Sequence, residues 1–439
     1  MVLTHHTTGR NARLTQRFQN MNEILSFWAQ WLRPSAGLPT VQWSLLLAVA
    51  AMAGYLTQRH TGLPKVVGYS LVGTAAGLAG FSGAVWPLQG IGLFLLELGI
   101  AIVLFECGGR IPLRWFRHNP MVLVQSVAES VLTYFAVYWV LMWLGMPAPV
   151  ASPLALVALA ASPAVLTRVV ADTRAAGPVT ERAIVLTTLS TLYALTLGSA
   201  QAELINRQSV TLMETASPVV VVLGVSIVVA AVLALVLRMA LRFMSPTSEN
   251  TSMLFLALVA AGTAVAAHMG GSAPLAALLG GMLLKQLNPR PWAWPRQLGN
   301  ASSLLTMLMF VLVSTVAAQA DWSAPVAGMV LALIAVRLVA KASGVALGNV
   351  GSGASWKQAL WVGCAMTPMS SIALLIASQF VIASPSTGHM IAGVALPAIL
   401  LMEVLGAVIA TVAIYRAGES SKPWAPLTRG NNGENSRES

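Results

Sequence analysis

The chain predicts an all-α polytopic membrane protein with about thirteen transmembrane helices, and three observations carry that prediction. Mean hydropathy is +0.75 and only 9% of residues are charged. Apolar runs of about 20 residues, enough to cross ~30 Å of hydrocarbon, recur along the whole sequence. Between them no polar stretch is long enough for a soluble domain.

The runs fall at 41–58, 63–83, 88–108, 119–145, 150–173, 179–203, 217–243, 251–269, 272–287, 297–318, 324–348, 358–384 and 388–415, with those at 63 and 272 the weakest. They divide the chain into a polar N-terminal tail at 1–40, a membrane domain at 41–415 and a polar, disordered tail at 416–439. Within the first tail, Met21–Trp31 reads as a short amphipathic helix lying on the membrane surface. The first forty residues do not read as a signal peptide, because no apolar core with a cleavage site follows the basic stretch.

A net charge of +11 in a soluble protein would point to nucleic acid. Its distribution here argues for membrane orientation instead, and no nucleic-acid partner is expected. When loops are numbered alternately, one side collects Arg59, Lys65, Arg110, Arg114, Arg117, Arg174, Arg182, Arg238, Arg242, Lys285, Arg290, Arg296, Lys357, Arg416, Lys422, Arg429 and Arg437. The other side's loops hold only Arg207, apart from Arg10, Arg13, Arg17 and Arg33 in the N-terminal tail. The positive-inside rule then places the C-terminus in the cytoplasm and the N-terminus outside a cell (inner) membrane. Cys107 and Cys364 sit in apolar runs and read as small core residues. No Cys/His cluster has metal-ligand spacing, and no phosphate loop or nucleophile elbow is present. Neither a metal, a cofactor nor enzymatic activity is therefore expected. Gly73-x-x-x-Gly77 and Gly344-x-x-x-Gly348 allow close helix packing and nothing more.

Two runs about two hundred residues apart are broken by a hydroxyl–proline step: Ser162-Pro163 in the fifth and Thr367-Pro368, followed by Ser370 and Ser371, in the twelfth. Proline removes a backbone donor and clashes with the preceding turn, which frees carbonyls and amides at membrane depth. Such backbone is tolerated only where it is buried in protein or lines a cavity. Interrupted helices in matching halves are a pointer to a transporter's substrate site.

Ionisable residues at bilayer depth are functional candidates by default. At about 1.5 Å per residue, Glu97, Glu129 and Glu403 fall near mid-membrane in the third, fourth and last spans. Arg337 is similarly deep, while Lys341, one turn on, is near enough to the cytoplasmic face to snorkel. Arg337 could neutralise Glu97, Glu129 or Glu403, and Glu403 in the last span reads as structural. Arg168, five residues after the first break, could cap freed carbonyls or compete with a cation. Glu106 pairs with Arg110 at i+4, and His268 reads as a solvated turn residue.

With these residues placed, the chain resembles the monovalent cation:proton antiporters of the sodium/hydrogen exchanger superfamily, in particular a Kef-type membrane domain. Leu63-Pro64-Lys65-Val66-Val67-Gly68-Tyr69 resembles the L-P-x-V-V-G-Y entry to an early span. Leu96-Glu97-Leu98-Gly99 with Leu104-Phe105 resembles the E-L-G-x-x-x-L-L-F helix, and Ala161-Ser162-Pro163-Ala164-Val165 the unwound crossing segment. Gly270-Gly271-Ser272 with Leu275 and Gly280 to Leu284, and then Phe310-Val311 through Asp321, resemble two further segments in order. The resemblance implies two inverted repeats with crossed interrupted helices, a homodimer in the lipid bilayer, and exchange of Na⁺ or K⁺ for H⁺ by alternating access. It also implies a basic residue before the second break, a place that Arg337 or Lys341 fills, balancing carboxylates or half-helix dipoles.

One departure stands out. Where the family's helix after the first break carries an Asn-Asp or Asp-Asp pair, this chain has Ser190-Thr191. Hydroxyls coordinate a cation but do not exchange a proton near neutral pH. The expectation is therefore an antiporter whose ion site is lined by Ser162, Pro163, Ser190, Thr191, Thr367, Pro368 and Ser370. A displaced carboxylate, Glu97 or Glu129, carries the proton, and Arg337, Lys341 and Arg168 balance charge. Two alternatives remain open: a carrier of an organic anion on the same fold, and a non-transporting scaffold or sensor that has lost the coupling aspartate.

Overall fold

The thirteen apolar runs form helices, each near the predicted place. The computed structural model describes residues 39–81, 90–111, 113, 116, 119–205, 212–245, 248–288, 296–320, 322–350 and 352–422. The interfacial helix expected at Met21–Trp31 lies outside them. The described residues before Leu47 and those from Leu47 onward form separate units, and the second carries both breaks. The helices are α1 (Pro39–Thr61), α2 (Lys65–Leu78), α3 (Gly90–Gly109), α4 (Met121–Trp143), α5 (Ala148–Leu159), α6 (Pro163–Thr173), α7 (Pro178–Leu204) and α8 (Leu212–Phe243). Then come α9 (Glu249–His268), α10 (Ala273–Leu287), α11 (Arg296–Ala317), α12 (Ala324–Leu347), α13 (Trp356–Ala365), α14 (Ser371–Ala383) and α15 (Pro385–Arg416). Among the described residues no strand occurs, and nine segments are long and apolar enough to cross a bilayer.

Both predicted breaks are real. The fifth run divides into α5 and α6 around Ala160–Ser162, and the twelfth into α13 and α14 around Met366–Ser370. Pro163 occupies the first turn of α6, where its missing N–H costs nothing, and Ser162 caps that helix by accepting from the Val165 amide at 3.4 Å. The broken segments are fifth and twelfth in order, and the second and ninth, α2 and α10, are both short at 14 and 15 residues. An offset of seven, an odd number, means that matching segments cross the bilayer in opposite directions, which is the signature of inverted repeats.

Helix packing divides 47–439 into two bundles. In one, α2, α3, α8, α9, α10 and α11 pack on each other; in the other, α4, α5, α7, α12, α13, α14 and α15 surround the breaks. Small residues set the closest approaches. A Cβ at Gly344 would collide with the backbone of Glu129, and one at Gly348 would lie 2.6 Å from Gln125 Cα, so α12 seats α4 without a gap. Likewise Gly73 and Gly77 of α2 lie against Val311 and Thr315 of α11, and the Thr315 hydroxyl donates to the Gly73 carbonyl at 3.1 Å. Near the end of the described chain, Glu419 accepts from the Val179 and Thr180 amides at 2.7 Å each, capping α7. Ser420 adds a hydrogen bond from its hydroxyl to the Thr173 carbonyl at 3.2 Å.

Candidate functional site

The half-helices α5 and α13 end with their carbonyls pointing into the middle of the second bundle. A helix C-terminus carries partial negative charge and orphan acceptors, so two of them converging create a site for cations. Arg337 of α12, wholly buried, fills it. Its Nε donates to the Ala158 carbonyl at 2.7 Å and its Nη2 to Ala160 at 2.9 Å. Across the second break, Nη1 donates to Thr367 at 2.5 Å and Nη2 to Pro368 at 3.4 Å. One guanidinium thereby ties both breaks together. Of the two charge-balancing roles expected of it, half-helix dipoles hold; the expected neutralisation of a carboxylate by Arg337 does not, because carbonyls take its donors and no ion pair forms.

Lys341, one turn along α12, makes the ion pair instead. Its Nζ lies 2.5 Å from Glu129 Oε1, and both side chains are inaccessible to solvent. The expected snorkelling of Lys341 is therefore corrected: residue counting places it near the membrane face, yet the Gly344 contact turns it toward α4. Its other two donors go to the Leu159 carbonyl at 3.2 Å and the Ser190 hydroxyl at 3.3 Å. Glu129 also accepts from Thr133 Oγ1 at 3.2 Å and Ser130 Oγ at 3.1 Å. Sequence reasoning missed these two hydroxyls, although their i+1 and i+4 spacing from Glu129 was visible.

The hydroxyls expected to line an ion site mostly serve freed backbone. Ser190 Oγ donates to the Leu159 carbonyl at 2.9 Å, Thr191 Oγ1 to Ala161 at 3.1 Å, and Thr367 Oγ1 to Cys364 at 2.8 Å. Ser190 lies within hydrogen-bonding distance of Lys341, so the helix that carries the acidic pair in the resembled family contributes a neutral oxygen, and the carboxylate comes from α4. Thr187 Oγ1 and Ser371 Oγ are buried without a partner.

The remaining candidates sit elsewhere. Among the described residues Glu97 is half-buried on α3 with no hydrogen bond or ion pair to the crossing. Arg168 reaches away from it to Ser303 Oγ at 2.8 Å and Thr306 Oγ1 at 3.2 Å, tying α6 to α11 rather than capping freed carbonyls. Ser370 donates to Glu403 at 3.0 Å. Glu106 and Arg110 pair at 2.6 Å as expected.

Two cavities adjoin α7, one along its middle and one at its N-terminal end. A cavity of about 480 Å³ includes Ser130, Leu159, Leu192, Tyr193 and Thr196 in its wall, directly beside the pair. At the N-terminal end, a cavity of about 250 Å³ is lined by Pro178, Val179, Arg182, Ser352 and Gln358.

Two broken helices whose half-helices meet at a buried charge pair define a polytopic membrane transporter fold of the interrupted-helix class. The family described as "Sodium/hydrogen exchanger, transmembrane" matches residues 47–415, and the chain belongs to that family of monovalent cation:proton antiporters. Among solved structures, the sodium proton antiporter MjNhaP1 from Methanocaldococcus jannaschii at pH 8 is similar with a TM-score of 0.63 and 16% identity, covering 86% of this chain and 98% of that one. An electron-microscopy map of the same antiporter gives a TM-score of 0.55 and 18% identity, covering 95% and 100%. At these identities the likeness concerns the fold. No curated protein matches the sequence.

Proposed function

We propose that the protein exchanges a monovalent cation, Na⁺ or K⁺, for H⁺ by alternating access, with the Glu129–Lys341 pair as the exchanging element. The observation that carries this reading is that pair: an ion pair with no access to water, on the crossing, whose neighbours Ser130 and Leu159 form part of a cavity wall. A dehydrated carboxylate requires a counter-charge. A cation arriving beside Glu129 takes over that role, and Lys341 releases its proton to the same aqueous side as a neutral amine. On the far side a proton returns to Lys341, the ion pair re-forms and the cation leaves. One cation moves against one proton. Glu129 supplies the charged ligand and Ser130, Thr133 and Ser190 stand ready as neutral oxygens.

Against an organic anion, the argument is the donor count. All three Lys341 donors and four of the five on Arg337 are spent on protein oxygens, which leaves no cationic fork for a carboxylate. The proposal extends to an inner-membrane location, with the N-terminus outside and the C-terminus cytoplasmic, and to a homodimer.

The test is reconstitution in proteoliposomes with an interior pH dye. Addition of NaCl or KCl should collapse an imposed pH gradient, while choline chloride should not, and Glu129→Gln should abolish the response. Cation-independent traces, or exchange unchanged in Glu129→Gln, would overturn the reading.

A further inference from the structure

A second buried carboxylate lies outside the exchanging pair. Glu403 of α15 is fully inaccessible to solvent and has no cationic partner among the described residues. Two serines donate to it, and a third lies on a neighbouring helix. Ser314 Oγ of α11 donates to Oε2 at 2.8 Å, and Ser370 Oγ, at the second break, donates to Oε1 at 3.0 Å. Ser70 Oγ, wholly buried and with no hydrogen-bond partner of its own, lies on α2, which packs against both α11 and α15.

The packing explains why these four meet. Gly406, one turn after Glu403, leaves α15 in contact with the backbone of Pro368, which brings the carboxylate to the break. Gly73, one turn after Ser70, presses α2 onto Val311 and Ser314. Glu403 and Ser370 belong to the bundle that carries the breaks, whereas Ser70 and Ser314 belong to the other. The group therefore sits on the seam between the two bundles, joined by its hydrogen bonds.

An ionised carboxylate without a counter-charge in such a place costs several kcal/mol. It is accommodated in two ways: as the acid, or with a small cation. For a purely structural acid three hydroxyls are more than is needed, and one of them is left without a partner. For a hard monovalent cation, two carboxylate and three hydroxyl oxygens from four elements make a dehydrated oxygen cage.

We propose that Glu403, Ser70, Ser314 and Ser370 form a second monovalent-cation site, specific for Na⁺ or Li⁺, at the seam between the bundles. Binding breaks the O–H bond of the Glu403 acid, sends that proton to bulk water and replaces it with the cation, so that net charge in the site is unchanged. This site does not depend on the Glu129–Lys341 exchange, and the tests of the two separate.

The experiment is infrared difference spectroscopy on the full-length protein in nanodiscs at fixed pH, adding NaCl, LiCl or choline chloride. Na⁺ and Li⁺ should remove one carboxylic-acid C=O band and release about one proton, choline should do neither, and Glu403→Gln should lack the band. Glu129→Gln should keep it, whatever becomes of exchange. Ser314→Ala and Ser370→Ala retain the carboxyl and should raise the half-saturating Na⁺ concentration about tenfold, which keeps the proposal testable if Glu403→Gln does not fold. A band insensitive to Na⁺, or alanine variants with unchanged Na⁺ dependence, would make Glu403 a permanently protonated structural acid.

Discussion

Glu129 and Lys341 stand 212 positions apart in sequence and 2.5 Å apart in space, and Gly344 is what brings them together. Because Gly344 has no side chain, the α4 backbone at Glu129 lies directly on α12, one turn beyond Lys341. Removing one partner of a buried ion pair leaves the other charge uncompensated, at a cost of about 3–5 kcal/mol. Glu129→Gln and Lys341→Met should each lower the midpoint of thermal unfolding markedly. The double variant should recover much of that stability while remaining inactive. Double-mutant thermal scans check this, and additive losses would deny the coupling.

Gly344→Ala is the packing counterpart. Its methyl meets backbone, which does not yield as a side-chain tip does, so α4 must shift. The expected loss is about 1–3 kcal/mol, together with cation exchange. Gly328, in the same helix with nothing within 4 Å, is the control, and Gly328→Ala should be neutral or stabilising by up to about 1 kcal/mol. Equal effects at the two glycines, measured by the same unfolding assay, would refute the packing argument.

The contrast between these glycines shows what the sequence could and could not disclose. Hydropathy located the helices because each crossing must bury a run of apolar residues, and Ser162-Pro163 and Thr367-Pro368 located the breaks because proline cannot donate. Partners were illegible. Gly344-x-x-x-Gly348 announces close packing but not that α4 is what packs there, and counting residues from a span's start ignores which face a side chain presents. Hence Lys341 looked like a snorkelling residue and Arg337 like the ion-pair former, whereas Lys341 forms the ion pair and Arg337, wholly buried, binds the carbonyls of both breaks. Ser190 and Thr191 read as cation ligands on chemistry alone. Only the placement of the Leu159 and Ala161 carbonyls reveals that they first satisfy the break. Glu403 looked structural because its three serines come from distant stretches.

Arg337 tests the break itself. Its planar fork reaches four carbonyls on two segments, a pattern that the single ammonium of lysine does not reproduce. Arg337→Lys should therefore keep the charge yet lose several of these bonds. Each carbonyl left buried and unpaired costs about 1–3 kcal/mol. The expected outcome is a protein much less stable than wild type and slow in exchange, with Arg337→Met worse. Thermal unfolding in matched detergent, alongside proteoliposome rates, measures both. A lysine variant equal to wild type in both would mean that charge alone matters at this position.

Glu419 acts at the membrane surface instead of within it. Its carboxylate accepts from the Val179 and Thr180 amides and from the Thr180 hydroxyl, the latter at 2.6 Å, while Gly177 leaves it room. A charged acceptor at a helix N-terminus satisfies orphan donors and opposes the positive end of the dipole. Glu419→Ala should cost about 0.5–2 kcal/mol, the range for a lost N-cap. The loss should show as faster amide hydrogen exchange confined to the first turn of α7. That turn also lines the cavity at Arg182, so fraying it should alter cation access from that end more than the stability of the crossing. In proteoliposomes the half-saturating cation concentration should then shift with the maximal rate nearly unchanged. Unaltered exchange at 178–182 would show that the contact does not hold the helix end.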